Sequence, residues 1–303
     1  MDRLDAMQVF VAVADAQGFS AAARRLRRSP ASLTRAVAAL EEHLGARLFH
    51  RTTRTVRLTA AGTRYLADCK RLLAEIADAD AAAAGAHAEP AGLLSVTAPI
   101  RFGRLHMAPL LMDFMARYPR IAVRAIMLDR VVDLAEEGLD VAVRIGALPD
   151  SALTAVRVGE VRPVVCASPA YLARRGVPQV PRDLVDHDAI TFTAVASTAE
   201  WPFGTGAGRE VVRAPARMIF NTADLAVAAA LAGHGVTRLL SYQVAREVAR
   251  GALTIVLADF EPPAVPIHVV YREGRRAAAR VRVFVDFAVA RLRARAASWR
   301  IAR

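Results

Sequence analysis

The sequence predicts an α/β protein with an all-helical N-terminal segment. Three observations predict it. From Gly92 onward, short apolar strand-like runs alternate with helix-like runs, the pattern of strands covered by helices in a mostly parallel sheet. Before that point, apolar residues recur at three- and four-residue spacing, interrupted by a strand-like run only in "ARLFHRTTRTVRLT". The formal net charge of +12 also sits at the chain's ends, with eleven Arg against five acids in residues 1–64 and ten Arg against two acids in 272–303. The middle, 65–271, is −2. Basic ends suggest a polyanionic partner.

At 303 residues the chain is long enough for about two domains. Hydrophobic residues make up 54 % and charged residues 23 %, a globular rather than a disordered composition. No run approaches the roughly 18 consecutive apolar residues of a membrane span, and the N-terminus has acids where a secretory signal needs bases. The expectation is a cytoplasmic protein. Cys69 and Cys166 are far apart and in no CxxC pair, so they read as small buried hydrophobes.

Residues 4–16 read as a first helix, with Leu4, Met7, Phe10 or Val11, and Ala14 on one face. Gly18 breaks it, and Ser20 is a candidate N-cap for a short helix ending near Arg27. Ser29 can cap a third helix, with Pro30 in its first turn and Gly45 as its stop. Leu33, Val37, Leu40 and Leu44 share that helix's inner face. A short hairpin follows, favoured by Thr52, Thr53, Thr55 and Val56. Thr59 then caps a long helix over 60–86, and "GAHAEPAG" is a linker. Further on, strands are predicted at "LLSVTAP", "RIAVRAIML", "LDVAVRIG", "RPVVCAS", "DAITFTA", "VTRLL" and "IHVVYRE". Helices are predicted after the first of these, at "DRVVDLAEEG", "SPAYLARRG" and "TADLAVAAALAGHG", and at the C-terminus.

Two short helices joined by a tight turn form a helix-turn-helix pattern. Its outward residues are Ala31, Ser32, Thr34, Arg35 and Ala38. Small side chains permit close approach to a major groove, hydroxyls can meet phosphates or base edges, and Arg35 can reach a guanine. Arg51, Arg54 and Arg57 on the hairpin can act as a wing on the DNA backbone. A generic helical hairpin with a basic surface has the same spacing.

The stretch "FVAVADAQGFSAAARRLRRSPASLTRAVAALEEHLGARLFHRTTRTVRLTAAG" resembles the DNA-binding half of LysR-type transcriptional regulators. The likeness runs on in order through "VTAPIRFGRLHMAPLL", "DVAVRIG", "VVCASPAYLARRG", "ALAGHGVTRLLSYQVA" and "VRVFVDF". It implies a winged helix-turn-helix over 1–58, a linker helix that pairs two subunits and a hinge over 59–90, and an effector-binding domain over 91–303. That domain is expected to be two-lobed, doubly wound and similar to periplasmic binding proteins, with lobe one at 91–163 plus 268–303 and lobe two at 164–267.

The DNA-contacting residues so implied are Ser20, Ser29, Pro30, Ala31, Ser32, Thr34, Arg35, Arg51, Thr52 and Arg54. Ligands of doubly wound sheets bind beyond the carboxyl ends of strands. The first such end is "SVTAPIRFG", which places the effector at Thr97, Pro99, Ile100, Arg101 and Phe102, where the helix's first amides, beyond Pro99 itself, make an anion site. The resemblance implies Ile145, Gly146, Trp201, Phe203 and Asn221 as further effector contacts. In the family the effector is often a small organic acid or an aromatic. Arg101 departs from the family's small or apolar residue, and either pairs with a carboxylate effector or turns outward into solvent.

Enzyme signals do not assemble. The seven histidines form neither HExxH nor a zinc cluster, "GTGAG" is not a dinucleotide fingerprint, and no serine stands in GxSxG. No cofactor or metal is expected. The expected partners are double-stranded DNA, a small effector, RNA polymerase, and further copies of the chain in a dimer or tetramer, with no membrane. Two alternatives share some of these features: a periplasmic-type binding protein, which leaves residues 1–64 unexplained, and a non-specific nucleoid-type DNA binder.

Overall fold

The computed structural model describes residues 2–51, 56–83, 90–149, 151–193, 200–272, 277–299 and 301. The chain divides into two compact units, Met1–Glu89 and Pro90–Arg303.

The first unit holds helices α1 (Arg3–Asp15), α2 (Phe19–Leu26) and α3 (Pro30–Leu44). An antiparallel pair follows, β1 (Phe49–Arg51) and β2 (Val56–Leu58), and then the long helix α4 (Ala60–Ala83). The side chain of Ser29 accepts from the Ser32 amide at 3.2 Å, Pro30 opens α3, and Gly45 closes it at φ 61°. That is the cap-and-stop chemistry expected there. Thr59 caps α4 by accepting from the Gly62 amide at 2.9 Å. Ser20 caps nothing. Phe19 packs edge-on against Phe49, and α2 starts two residues earlier, with Gly18 at the cap and Ser20 exposed in the first turn. Leu33, Ala36, Val37 and Leu40 of α3 are buried against Phe10, Val13, Ala22 and Phe49. Leu44 and Leu26 are only partly buried.

The second unit begins with β3 (Gly92–Ala98) and a helical stretch made of α5 (Ile100–Phe102), a π-helical turn at Gly103–Met107, and α6 (Ala108–Arg117). Then come β4 (Ile121–Met127), β5 (Val141–Ile145), β6 (Thr154–Val161), β7 (Pro163–Ala167), α7 (Pro169–Arg175) and β8 (Ala189–Phe192). A hairpin of β9 (Glu200–Phe203) and β10 (Glu210–Arg213) precedes β11 (Ala216–Phe220) and α8 (Ala223–Leu231). The chain continues through β12 (Val236–Leu240), α9 (Ser241–Ala249), β13 (Thr254–Val256), β14 (Val265–Tyr271) and α10 (Ala279–Arg295).

Two five-stranded sheets result, ordered β4-β3-β5-β14-β6 and β11-β8-β12-β7-β13. Each has two parallel pairings followed by two antiparallel ones. The sheets are therefore mixed and not mostly parallel. In the first sheet the long return of the chain brings β14 beside β5 and β6 against their direction, and in the second β7 runs against both β12 and β13. Val265–Ile267 thereby belong to the first sheet, although lobe two was expected to reach residue 267. The chain passes between the sheets at Arg162 and again through 257–264.

Residues 129–138 form turns and not the expected helix. Asp133 captures the amides of Ala135 (2.7 Å) and Glu136 (3.1 Å) with its own side chain. Such local bonds compete with helix continuation. Val132, Leu134 and Leu139 then bury beside Ala142 as a small cluster of their own.

Candidate DNA-binding surface and effector cleft

On the first unit, Ser29, Pro30, Ala31, Arg35 and Ala38 are exposed on α3, while Ser32 and Thr34 are half-buried. The two hydroxyls are not idle. Thr34 donates to the Pro30 carbonyl at 3.0 Å, and Ser32 accepts from Arg28 at 3.2 Å. Arg28 is also paired with Asp5 of α1 at 2.6 Å, so it ties α1 to the first turn of α3. The groove-facing chemistry left on α3 is small Ala31 and Ala38 beside Arg35, with residual acceptor capacity on the hydroxyls. Arg51 ends β1, and its side chain lies outside the described residues, as do Thr52 and Arg54.

Sequence reasoning missed Glu41. It is buried, and its carboxylate accepts from the amides of Leu48 (2.8 Å) and Phe49 (3.1 Å). That bond fixes the entry to β1 against α3. The signal was available: position 41 lies four residues after Val37 and three before Leu44, on the apolar stripe.

In the second unit, β3 and α5 bring Thr97, Pro99, Ile100 and Arg101 together. Ile145 ends the adjacent parallel strand β5, and Gly146 follows it. Gly146 stands at φ 119° with open space where a Cβ would project. Asn221 is exposed just ahead of α8. Phe102, Trp201 and Phe203 are not available to a ligand. Phe102 packs against His106 and Trp299 in the core beneath the first sheet, and against Tyr242, which α9 brings from the second lobe. Trp201 and Phe203 face inward from β9 and complete the core of the second lobe with Tyr171 and Leu184. Large aromatics in an amphipathic hairpin supply core area first.

Arg101 neither waits for an effector nor turns to solvent. Its side chain is 6 % exposed and paired with Asp224 of α8 and with Glu247 of α9, the latter at 3.4 Å. Arg104 joins the same Asp224 oxygen at 2.7 Å. The Ile100 amide, expected as an anion donor, already donates to Asp129 at 3.0 Å. Burial pushes the Asp129 carboxyl up; the Ile100 bond pulls it down and the charge of Asp224 adds to the rise. Asp129 Oδ2 and Glu247 Oε2 are buried without a hydrogen-bond partner.

Nothing else suggests chemistry. Cys69 and Cys166 are buried, and burial pushes their thiols up to about 11 and about 12. Among the described residues, no group of three or more His, Cys, Asp or Glu could hold a metal, and no helix is long and apolar enough to cross a membrane.

Residues 4–63 match the model of the bacterial regulatory helix-turn-helix protein, lysR family, and residues 87–293 match the LysR substrate binding domain. The chain is 38 % identical over 289 residues to an HTH-type transcriptional repressor of Pseudomonas aeruginosa, covering 95 % of this chain and 91 % of that protein. Among solved structures it is similar to CrgA, a LysR-type transcriptional regulator from Neisseria meningitidis, at 32 % identity and a TM-score of 0.62. That match covers 95 % of this chain and 98 % of CrgA. It is also similar to the Vibrio cholerae virulence activator AphB, at 27 % identity and a TM-score of 0.63, over 96 % of this chain and 99 % of AphB. With two family models covering most of its length and relatives of this identity along nearly all of it, the chain belongs to the LysR family of helix-turn-helix transcriptional regulators, which are not enzymes.

Proposed function

We propose that the protein is a sequence-specific transcriptional regulator that reads an operator with α3 and is controlled by a small effector between the two lobes of its second unit. The observation that carries the reading is the capped start of α3. There Ser29 and Pro30 present an exposed face of Ala31, Arg35 and Ala38 on a helix whose other face is buried at Leu33, Ala36, Val37, Leu40 and Glu41. A helix held this way can enter a major groove, with Arg35 as its long base or phosphate contact. Arg51, Thr52 and Arg54 are proposed to flank it on the DNA backbone, and Ser20, Ser32 and Thr34 to border it.

The effector is proposed to lie at Thr97, Pro99, Ile100, Ile145, Gly146 and Asn221. The protein is proposed to act in the cytoplasm as a homodimer or homotetramer, with RNA polymerase as a further partner. The test is a gel-shift titration against DNA from the protein's own upstream region beside random DNA of equal length, at several salt concentrations. The expected result is a specific affinity at least about 1,000-fold tighter than the non-specific one. Equal affinity for both would reassign the protein to a non-specific DNA binder.

A further inference from the structure

Both carboxylate partners of the buried Arg101 come from the other lobe. Arg101 follows β3 on α5, in the lobe built around β3, β4, β5, β14 and β6. Asp224 stands in the first turn of α8 and Glu247 lies on α9, in the lobe built around β7, β8 and β11–β13. Arg104, three residues on and sharing the face of Arg101, puts a second guanidinium on Asp224. A guanidinium as buried as that of Arg101 is compensated only while those carboxylates stay in place. Parting the lobes here would strand it. An exposed pair between the same residue types would be nearly neutral and would hold nothing.

The groups that would receive an anionic ligand are thus filled by the chain itself. Asp129 occupies the Ile100 amide, and Asp224 and Glu247 occupy Arg101. We infer that Arg101, Arg104, Asp224 and Glu247 form an electrostatic latch that holds the two lobes closed, and that an effector entering this cleft must displace Asp224 from Arg101 to act. The inference deepens the proposed effector control and rests on it for its consequence. The latch itself is tested without DNA or ligand.

The experiment is amide hydrogen exchange of the full-length protein, comparing Asp224→Asn and Glu247→Gln with the unaltered chain. Arg291→Met is the control, since Arg291 faces Asp113 at 3.8 Å within one lobe and is exposed. The deciding peptide is 100–107, in the lobe opposite both substitutions, because losing Asp224 can loosen α8 locally through its helix terminus. The expected result is exchange at least tenfold faster in 100–107, with 30–44 unchanged. Exchange in 100–107 within twofold of the control in both variants overturns the latch, even if 223–231 speeds up. Failure of the gel shift would remove the regulator reading and leave this result standing.

Discussion

Glu41 is a carboxylate inside the core of a DNA-binding unit, and two backbone amides hold it there. Replacing it with Ala leaves both amides buried without a partner, at a cost of about 2–4 kcal/mol. Denaturant unfolding of the Glu41→Ala protein measures that loss, and Glu41→Gln, which keeps an acceptor oxygen, is expected to recover most of it. His106 carries a different kind of prediction. Burial, helped by the charge of Arg295, holds its imidazole down at about 4, against an ordinary 6.5. Below the ordinary value the unfolded chain binds a proton that the folded chain refuses. Stability therefore falls as pH drops from about 6.5 to about 4, by at most ~1.4 kcal/mol per pH unit for one group. His187 and His268 are also held low by burial and add in the same sense. Urea unfolding across that pH window is expected to show a shallower slope for His106→Gln than for the unaltered chain. At this scale the sequence was legible at Ser29, Pro30, Gly45 and Thr59, which act on near neighbours, and not at Ser20 or Asp133, whose local bonding choices are decided by what packs around them. It was not legible at Arg101, whose partners lie 123 and 146 residues away and whose burial follows only from the meeting of two lobes.

Elements meet most closely where α4 starts. A Cβ added at Gly62 would stand 2.0 Å from the carbonyl oxygen of Leu48 and 2.9 Å from its carbon, both backbone atoms that have little room to yield. The Leu48 carbonyl also accepts from the Thr59 amide at 3.0 Å, so the start of α4 and the residue before β1 are pinned together. Gly62→Ala is expected to destabilise the first unit by about 1–3 kcal/mol through overpacking, despite the better helix propensity of Ala. Circular dichroism melting reads it, and a melting temperature equal to or above that of the unaltered chain would contradict the tight approach. Helical periodicity marked α1, α3 and α10, whose buried stripes are long enough to show, and it marked α4, where Tyr65, Leu66 and Leu73 pack partly buried against the core. It failed at 129–138, where Val131, Leu134 and Ala135 have helical spacing but Asp133 closes a local turn. Strands β9, β10 and β13 are short, and their apolar residues complete a core whose other members lie elsewhere in the chain.

The whole molecule has two basic ends, and the structure gives them different work. In the C-terminal one, guanidinium groups are engaged within the fold: Arg280 donates to the Leu93 carbonyl at 2.9 Å, Arg282 to that of Ala277 at 2.8 Å and Arg293 to that of Arg157 at 2.9 Å. In the N-terminal one, Arg35 and Arg47 are exposed, and among the described residues neither side chain has an ion pair or a hydrogen bond. Net charge alone ranks the C-terminal end higher, at +8 against +6. A guanidinium free to reach a phosphate releases counterions condensed on the DNA, and each such contact contributes about 0.9 to the slope of log affinity against log salt. Arg35→Ala and Arg47→Ala are therefore expected to flatten the salt dependence of operator binding, each by up to about 0.9. Arg282→Ala and Arg293→Ala are expected to leave the slope unchanged while lowering thermal stability slightly, because they lose bonds to carbonyls and no contact to DNA. A gel-shift salt series on the four variants separates the two ends. Equal flattening from the C-terminal pair would place DNA against α10 as well, and the charge of that end would then be a second binding surface.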